Sequence, residues 1–437
     1  MKLLVVSHAG LQANSPRARR WRSVVESLVE AGYDVTVVQA PSGNASPIMA
    51  GPGRVEVHEV QGLGGSLANP VALDGATHSA GQPLGRGPSR VERFGHAINA
   101  MLRSLVRQVR WPDFAFPWIV PAAVRGIRLQ RANDFAALIS VSHPFSSHLV
   151  GLCLKLWWPK LPWLLDIGDP FSFLDATPPN NFALYRRLNH WVENRCLSLA
   201  DGVSVTCDGT RRMFEATFPV CTGKTRVIGP LYRPQAAMPF MFEQTDQTRA
   251  VVRVLFAGTL YASIRKPSGA IDFFRECAAL VPHVTWELHF VGQRVGADAI
   301  PSRGRCGNVE YTFHEFRSGE AALGMMRAAD CLLNISNDTW YQLPSKLIDY
   351  MALGKPILNL STVPDDESSS FLRAYSSGLT VVFSGRIEES DRDRVVRFFQ
   401  TLREVPEAER TRVQQVHSAG AIGAQYCDWV ARDTKST

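Results

Sequence analysis

The chain of 437 residues is 45% hydrophobic and 20% charged, and 47 Lys and Arg against 40 Asp and Glu leave a formal net charge of +7. That content supports two cores of ordinary domain size; no apolar run reaches the roughly 18 residues of a membrane span, and no groove-reading motif accompanies the positive charge, which argues against nucleic acid. The eight cysteines, at 153, 196, 207, 221, 277, 306, 331 and 427, show neither CxxC nor regular spacing, so they imply no zinc and no disulfide framework and read as small buried residues of a reducing, cytoplasmic compartment.

In chain order, Leu3–Ser7 reads as a strand and shows no cleavage region. A loop through Ser15-Pro16, a helix over Arg17–Glu30, a turn at Gly32 and a strand over Val35–Val38 complete a β–loop–α–β unit. Residues 41–95 are rich in Gly, Pro and Ser, with only Arg54–Val60 alternating like a strand, and predict a long loop. Arg103, Arg107, Arg110, Arg125, Arg128 and Arg131 then flank the aromatic stretch WPDFAFPW, and Lys155 and Lys160 flank Trp157-Trp158. The pattern suits an anionic membrane surface or a phosphate-bearing ligand; the alternative is aromatics packed in a core beneath a solvated basic face. VSHPFSSHLVG is a strand end and helix start bearing His143 and His148, and Leu161–Phe173 is a buried strand ending in an acidic loop at Asp169. Asn189–Thr206 reads as a helix, a turn at Ala200-Asp201-Gly202 and a strand from Val203.

A segment without period, interrupted by Pro230, Pro234 and Pro239, predicts a hinge at about 230–250. The pattern then restarts: strand Val251–Gly258, a loop with Arg265 and Lys266, and an amphipathic helix Ser268–Leu280. Farther on, the buried run Cys331–Ile335 leads through Ser336-Asn337-Asp338 to a helix expected to begin at Pro344, with Leu347, Ile348 and Met351 on its apolar face and Gly354 and Pro356 ending it. A helix N-terminus just past a strand's carboxyl end offers unpaired amides and a positive dipole end, which suit a phosphate or diphosphate. Asp349, one turn deeper, is placed to accept hydrogen bonds from sugar hydroxyls, so the site suggests a nucleoside diphosphate. Asp391-Arg392-Asp393 reads as solvated surface, and Gln414–Ala431 has a helical pattern.

PSKLIDYMALGKPILNL, Pro344–Leu360, resembles the donor-binding motif of GT-B glycosyltransferases, specifically the retaining glycosyltransferase family 4 group and its PSKL-x-EYMA-x-GKPI string. The likeness extends in pieces over roughly 1–40, 135–230 and 251–360. It implies an α/β fold of GT-B architecture, two Rossmann-like domains facing across a cleft: an acceptor domain over 1–235 with its loop at about 41–95, a nucleotide-sugar domain over 250–412, and a C-terminal helix within 413–437 crossing back to the first. Donor binding would fall to Gly258, Arg265 or Lys266, Tyr341, Pro344, Ser345, Lys346 and Asp349, where the family usually has Glu at 349 and often a second Glu at 341. Ser15, Arg17 and His8 would lie on the acceptor side, and Asp169 and His143 would be catalytic candidates. Many members place a histidine at 168, and a subgroup instead has an Arg-Asp pair followed by Pro, which Asp169-Pro170 resembles.

The resemblance implies a metal-independent, retaining hexosyltransferase with no cofactor beyond its nucleotide-sugar substrate. Its acceptor would be a glycan or lipid-linked intermediate of a bacterial surface polysaccharide, with the protein cytoplasmic or peripheral on the inner face of the plasma membrane. Two other readings stay open: a nucleotide-sugar epimerase of the same architecture, and an inactive scaffold in a glycan assembly complex. A dinucleotide-dependent oxidoreductase is disfavoured, because Ser7-His8-Ala9-Gly10 lacks GxGxxG after the first strand. Bland roles compete at each candidate: Asp169 as a turn cap, the histidines as core residues, Arg265 and Lys266 as solvated surface.

Overall fold

The computed structural model describes residues 1–13, 15–42, 52–63, 108–174, 177–242, 250–261, 264–296, 300–315 and 317–433. Most of the 41–95 stretch, together with Arg103 and Arg107, lies outside these residues. The described chain forms two compact α/β units, Met1–Val205 with Phe214–Ile228 and Gly423–Thr437, and Thr206–Met213 with Gly229–Ile422.

Among the described residues the first unit holds seven parallel strands: β1 (Lys2–Ser7), β2 (Asp34–Gln39), β3 (Val55–Glu59), β4 (Ala137–Val141), β5 (Trp163–Asp166), β6 (Gly202–Val205) and β7 (Thr225–Val227). They lie in the order β3-β2-β1-β4-β5-β6-β7. Leu3 to Val6 and Ala137 to Val141 are buried throughout, as expected of central strands covered on both faces. Helices α1 (Pro16–Glu30), α2 (Ile119–Asn133), α3 (Ser146–Trp157) and α4 (Phe182–Leu199) connect them, and of α5 (Asp208–Thr217) the residues from Phe214 onward belong to this unit and those up to Met213 to the second. Helix α1 starts where Ser15 takes extended backbone and accepts the Ala18 N–H at 3.1 Å, with Pro16 in the first turn.

The second unit repeats the plan with β8 (Ala250–Ala257), β10 (Val284–Val291), β12 (Arg303–Cys306), β13 (Val309–His314), β14 (Cys331–Ile335), β15 (Ile357–Ser361) and β16 (Gly378–Val382), in the order β12-β13-β10-β8-β14-β15-β16. Among the described residues of this sheet only β12 runs antiparallel, and β9 (Leu260–Tyr261) and β11 (Arg294–Val295) make a separate small ribbon. Helices α6 (Pro267–Leu280), α7 (Gly319–Ala328), α8 (Lys346–Leu353), α9 (Glu367–Leu372), α10 (Glu389–Gln400) and α11 (Glu407–Val416) follow, and of α12 (Ala419–Asp433) the residues from Gly423 onward belong to the first unit. One face of the sheet packs on Phe273, Phe274 and Phe399, the other on Leu347, Ile348, Tyr350 and Met351 of α8. Each unit is therefore Rossmann-like.

Two elements differ from expectation. Helix α8 begins at Lys346, two residues past Pro344, because the Leu347 N–H closes a tight turn onto the Pro344 carbonyl at 3.1 Å before the α-helical ladder starts. The continuous pattern over Gln414–Ala431 is two helices. The break falls at His417-Ser418, where the Ser418 hydroxyl accepts the Ala421 N–H at 3.2 Å and the His417 carbonyl is taken by Tyr232 N–H at 2.8 Å. The expected hinge segment, where described, packs on the second unit: Met238 N–H bonds the Glu320 carbonyl at 3.1 Å, and Phe240 and Phe242 join its core.

Candidate functional site

In a doubly wound sheet, ligands bind beyond the carboxyl ends of the strands where the strand order reverses. That point is β1/β4 in the first unit and β8 between β10 and β14 in the second. Most of the candidates chosen from sequence fall at these two points.

In the second unit, Gly258 follows β8 and Gly292 follows β10. Their backbones touch: Gly258 N–H bonds the Val291 carbonyl at 2.9 Å, and a Cβ built on Gly292 would lie 2.0 Å from the Gly258 oxygen. Gly292 also has φ +142°, open to glycine alone. Helix α8 is fixed to the end of β8. The buried Tyr350 hydroxyl accepts the Ala257 N–H at 2.7 Å and donates to the Ala257 carbonyl at 3.2 Å, tying α8 to the end of β8. Burial pushes the Tyr350 phenol well above its ordinary range, so it stays a neutral donor and acceptor.

Arg265 reaches the loop between β14 and α8, its Nε donating to Asn337 Oδ1 at 2.9 Å. Lys346 Nζ pairs with Asp349 Oδ2 at 3.1 Å, both side chains being partly exposed on the first turn of α8. Ser345 is exposed at the turn and Pro344 is buried behind it. Lys266 is exposed at the start of α6 and makes no capping bond. Of the two loop cations, Arg265 is the one bonded to the loop between β14 and α8. Tyr341 is buried, edge-on to Trp340 at 5.7 Å, and its carbonyl accepts the Thr210 hydroxyl at 2.7 Å. Behind the loop, Asn334, Ser336, Asn359 and the fully buried Asp366 form a polar network, with Asn334 Nδ2 on Asn359 Oδ1 at 2.7 Å and Ser336 Oγ on the same oxygen at 2.9 Å.

In the first unit, His8 follows β1 and His143 follows β4. Phe114 links them, its ring centroid 5.5 Å from His8 and 6.1 Å from His143. Burial lowers the His8 imidazole to about 4, with Asp113 opposing and His143 adding to the fall, so His8 is neutral at pH 7. His143 is exposed. His148 is buried against the Ser140 hydroxyl at 2.8 Å, and burial lowers it to about 3. Asp113, from the aromatic stretch, is fully buried and accepts Ser146 N–H at 2.9 Å and its hydroxyl at 2.6 Å, capping α3. Trp118 is buried too, and Trp111 bonds Asn189 Oδ1 at 2.9 Å, so this stretch packs the first unit.

Asp169 is exposed on the loop after β5. Sequence reasoning passed over two carboxylates that hold this region. Asp166, ending β5 and buried, accepts from Arg17 Nη2, Trp21 Nε1 at 2.6 Å, Ser204 Oγ at 2.5 Å and Tyr426 OH at 2.7 Å. Burial opposes its charge, but Arg17 and Arg20 beside it hold the carboxyl below the ordinary range. Arg17 also donates to the Ser142 and Asp166 carbonyls, so its guanidinium is a strut inside the unit. It fills the space at Gly168, where an added Cβ would lie 3.2 Å from Arg17 Cζ and 3.1 Å from the Ser142 oxygen. Ser15 is spent as the α1 cap.

The second carboxylate is Glu193 on α4, which accepts Phe171 N–H at 3.2 Å and Ser172 N–H at 2.9 Å and so anchors the loop that carries Asp169. Burial pushes it up to about 7 against those bonds. Phe171 in turn stacks on Phe145 at 3.9 Å, buttressing the loops that carry Asp169 and His143. An acid ending an apolar strand, and an acid on the apolar face of a helix, were the available signals for the pair.

Among the described residues, no group of three His, Cys, Asp or Glu could hold a metal ion, and no helix is long and apolar enough to cross a membrane. No protein-family model matches the chain, and no curated protein matches it. Among solved structures, a glycosyltransferase from Rickettsia africae ESF-5 is similar over 100% of this chain and 99% of its own, with a TM-score of 0.51 and 11% identity. MurG from Acinetobacter baumannii gives 0.41 at 12% identity over 99% and 100% of the two chains, and a UDP-N-acetylglucosamine 2-epimerase from Listeria monocytogenes, described as a presumed one, gives 0.47 at 10% over 100% and 97%. These two lie too far away to bear on the fold. Two Rossmann-like units in one chain, with the first of these likenesses, define the GT-B class of fold.

Proposed function

We propose that this protein is a glycosyltransferase that moves a sugar from a nucleoside diphosphate sugar to a glycan or lipid-linked acceptor. The observation that carries this reading is the second unit's switch point, where Gly258 and Gly292 touch at the ends of β8 and β10 and Tyr350 ties α8 to the end of β8, with Arg265 on the loop after β8 and the Lys346–Asp349 pair on the first turn of α8. With no side chains at Gly258 and Gly292, a diphosphate could approach the backbone there. The α8 N-terminus contributes roughly half a positive charge, and Arg265 and Lys346 add two whole ones near the place where the leaving diphosphate gains negative charge. That charge suits a reaction without a metal. Asp349 would exchange its bond to Lys346 for the ribose hydroxyls, releasing Lys346 to the phosphates.

The first unit's switch point is the proposed acceptor site, with Phe114 as an apolar platform, neutral His8 as a hydrogen-bonding group and the exposed His143 and Asp169 at the reacting hydroxyl. Retention of configuration, a hexosyl donor, a surface-polysaccharide acceptor and a cytoplasmic, membrane-peripheral location belong to the same reading and rest on the sequence resemblance. The test is turnover of UDP-, GDP- and ADP-linked sugars, with and without a glycolipid acceptor fraction. Acceptor-dependent release of one nucleoside diphosphate is expected. Acceptor-independent conversion to an epimeric sugar would replace the reading with an epimerase, and binding without turnover would replace it with a scaffold.

A further inference from the structure

Helix α4 carries a second apolar face. Its inner face, with Asn189, Val192, Glu193, Cys196 and Leu197, is buried in the first unit. On the opposite side Leu184, Leu188 and Trp191 are 60%, 39% and 63% exposed, at the i, i+4, i+7 spacing of one helical stripe. Val109, 54% exposed, lies beside this helix, its carbonyl accepting a 2.6 Å bond from Tyr185. Arg195 continues the stripe one turn on, Arg187 borders it, and both are exposed, as is Arg186. The one carboxylate in α4, Glu193, is buried. The helix therefore shows solvent three leucine- or tryptophan-sized apolar groups and three arginines, with no acid.

We propose that this stripe seats the protein on an anionic bilayer, with Leu184, Leu188 and Trp191 entering the headgroup–acyl boundary and Arg187 and Arg195 meeting lipid phosphates. Charge decides between occupants. A second copy of the chain, joined about a two-fold axis through this face, would bring the arginines of two α4 helices together with no exposed helix carboxylate to offset them. An anionic lipid surface supplies phosphate to every arginine and an apolar layer for tryptophan, a side chain suited to that interface. The proposal rests on the membrane-peripheral location in the glycosyltransferase reading and names the surface that meets the lipid; its failure would leave sugar transfer itself standing.

The test uses the purified full-length chain and vesicles of equal parts phosphatidylglycerol and phosphatidylcholine, against pure phosphatidylcholine. The chain should sediment with the anionic vesicles alone, and less so as salt is raised. The L188E/W191E and R187E/R195E pairs should each lower the partition coefficient by roughly tenfold or more while keeping the melting temperature. Should a pair fail to fold, hydrogen exchange of the unaltered chain replaces it, with slower exchange over residues 184–195 expected on anionic vesicles. Absence of sedimentation, unchanged sedimentation of both pairs, or unchanged exchange would overturn the assignment. So would a dimer of the unaltered chain that L188E/W191E dissociates, which would make the stripe a protein interface.

Discussion

The Tyr426 hydroxyl donates a 2.7 Å hydrogen bond to Oδ1 of Asp166, across 260 positions of sequence. Arg20 completes a relay, its Nη2 donating to the same hydroxyl at 3.1 Å and to the Ile228 carbonyl at 2.8 Å. The middle of α12 is thereby fixed to the carboxyl end of β5, and the packing nearby is close: a Cβ on Gly423 would lie 2.1 Å from Ser27 Oγ.

Removing the charge at this junction should be more harmful than removing the hydroxyl. Asp166→Ala strands Arg17 and Arg20 beside a buried void and should cost about 3–5 kcal/mol. Tyr426→Phe removes one hydrogen bond to each of two charged groups and should cost about 1–3 kcal/mol. Denaturant unfolding followed by circular dichroism orders the two; equal, small effects would contradict the junction.

Glu193 makes stability depend on pH in a stated direction. Its folded-state carboxyl is raised by burial from 4.5 to about 7, so between those values the folded chain holds a proton that the unfolded chain has released. Its contribution is fully present below the ordinary carboxylate range and is lost as pH rises through about 7, by at most about 1.4 kcal/mol per pH unit. Glu193→Gln should flatten that part of the profile. A fall of the same size in both proteins would assign it to another group.

Gly292→Ala should unfold the second unit's switch point. A methyl group there meets the Gly258 carbonyl at 2.0 Å, and the backbone sits at φ +142°, so a loss of several kcal/mol is expected. The measurement is thermal melting with hydrogen exchange on 254–258, where loss of protection should be local to β8. A chain that melts as the parent does would remove the close approach.

Strand periods and turn residues carried most of the architecture. Leu3–Ser7, Val35–Val38 and Cys331–Ile335 are apolar runs between turn signals, and in a parallel sheet such runs need no other context. The Gln414–Ala431 pattern misled because helical period persists across a break made by one serine hydroxyl and by Tyr232, about 185 residues earlier in the chain. At the candidate site, the Pro344–Leu360 motif located α8 and Asp349, but Gly292 looked like any loop glycine until its neighbour across β8 and β10 was known. Asp166 and Glu193 were hidden for the reason that makes them matter. Each sits in an apolar pattern, and only tertiary structure shows which amides and cations it meets.

Nucleoside diphosphate binding by isothermal titration calorimetry, on the parent chain and on Asp349→Ala, tests the central claim most directly. One of UDP, GDP or ADP should bind the parent chain at micromolar concentration, and loss of the carboxylate should weaken it roughly tenfold or more with no change in melting temperature. Absence of binding by all three, or equal affinity in the two proteins, would contradict a donor site at the first turn of α8.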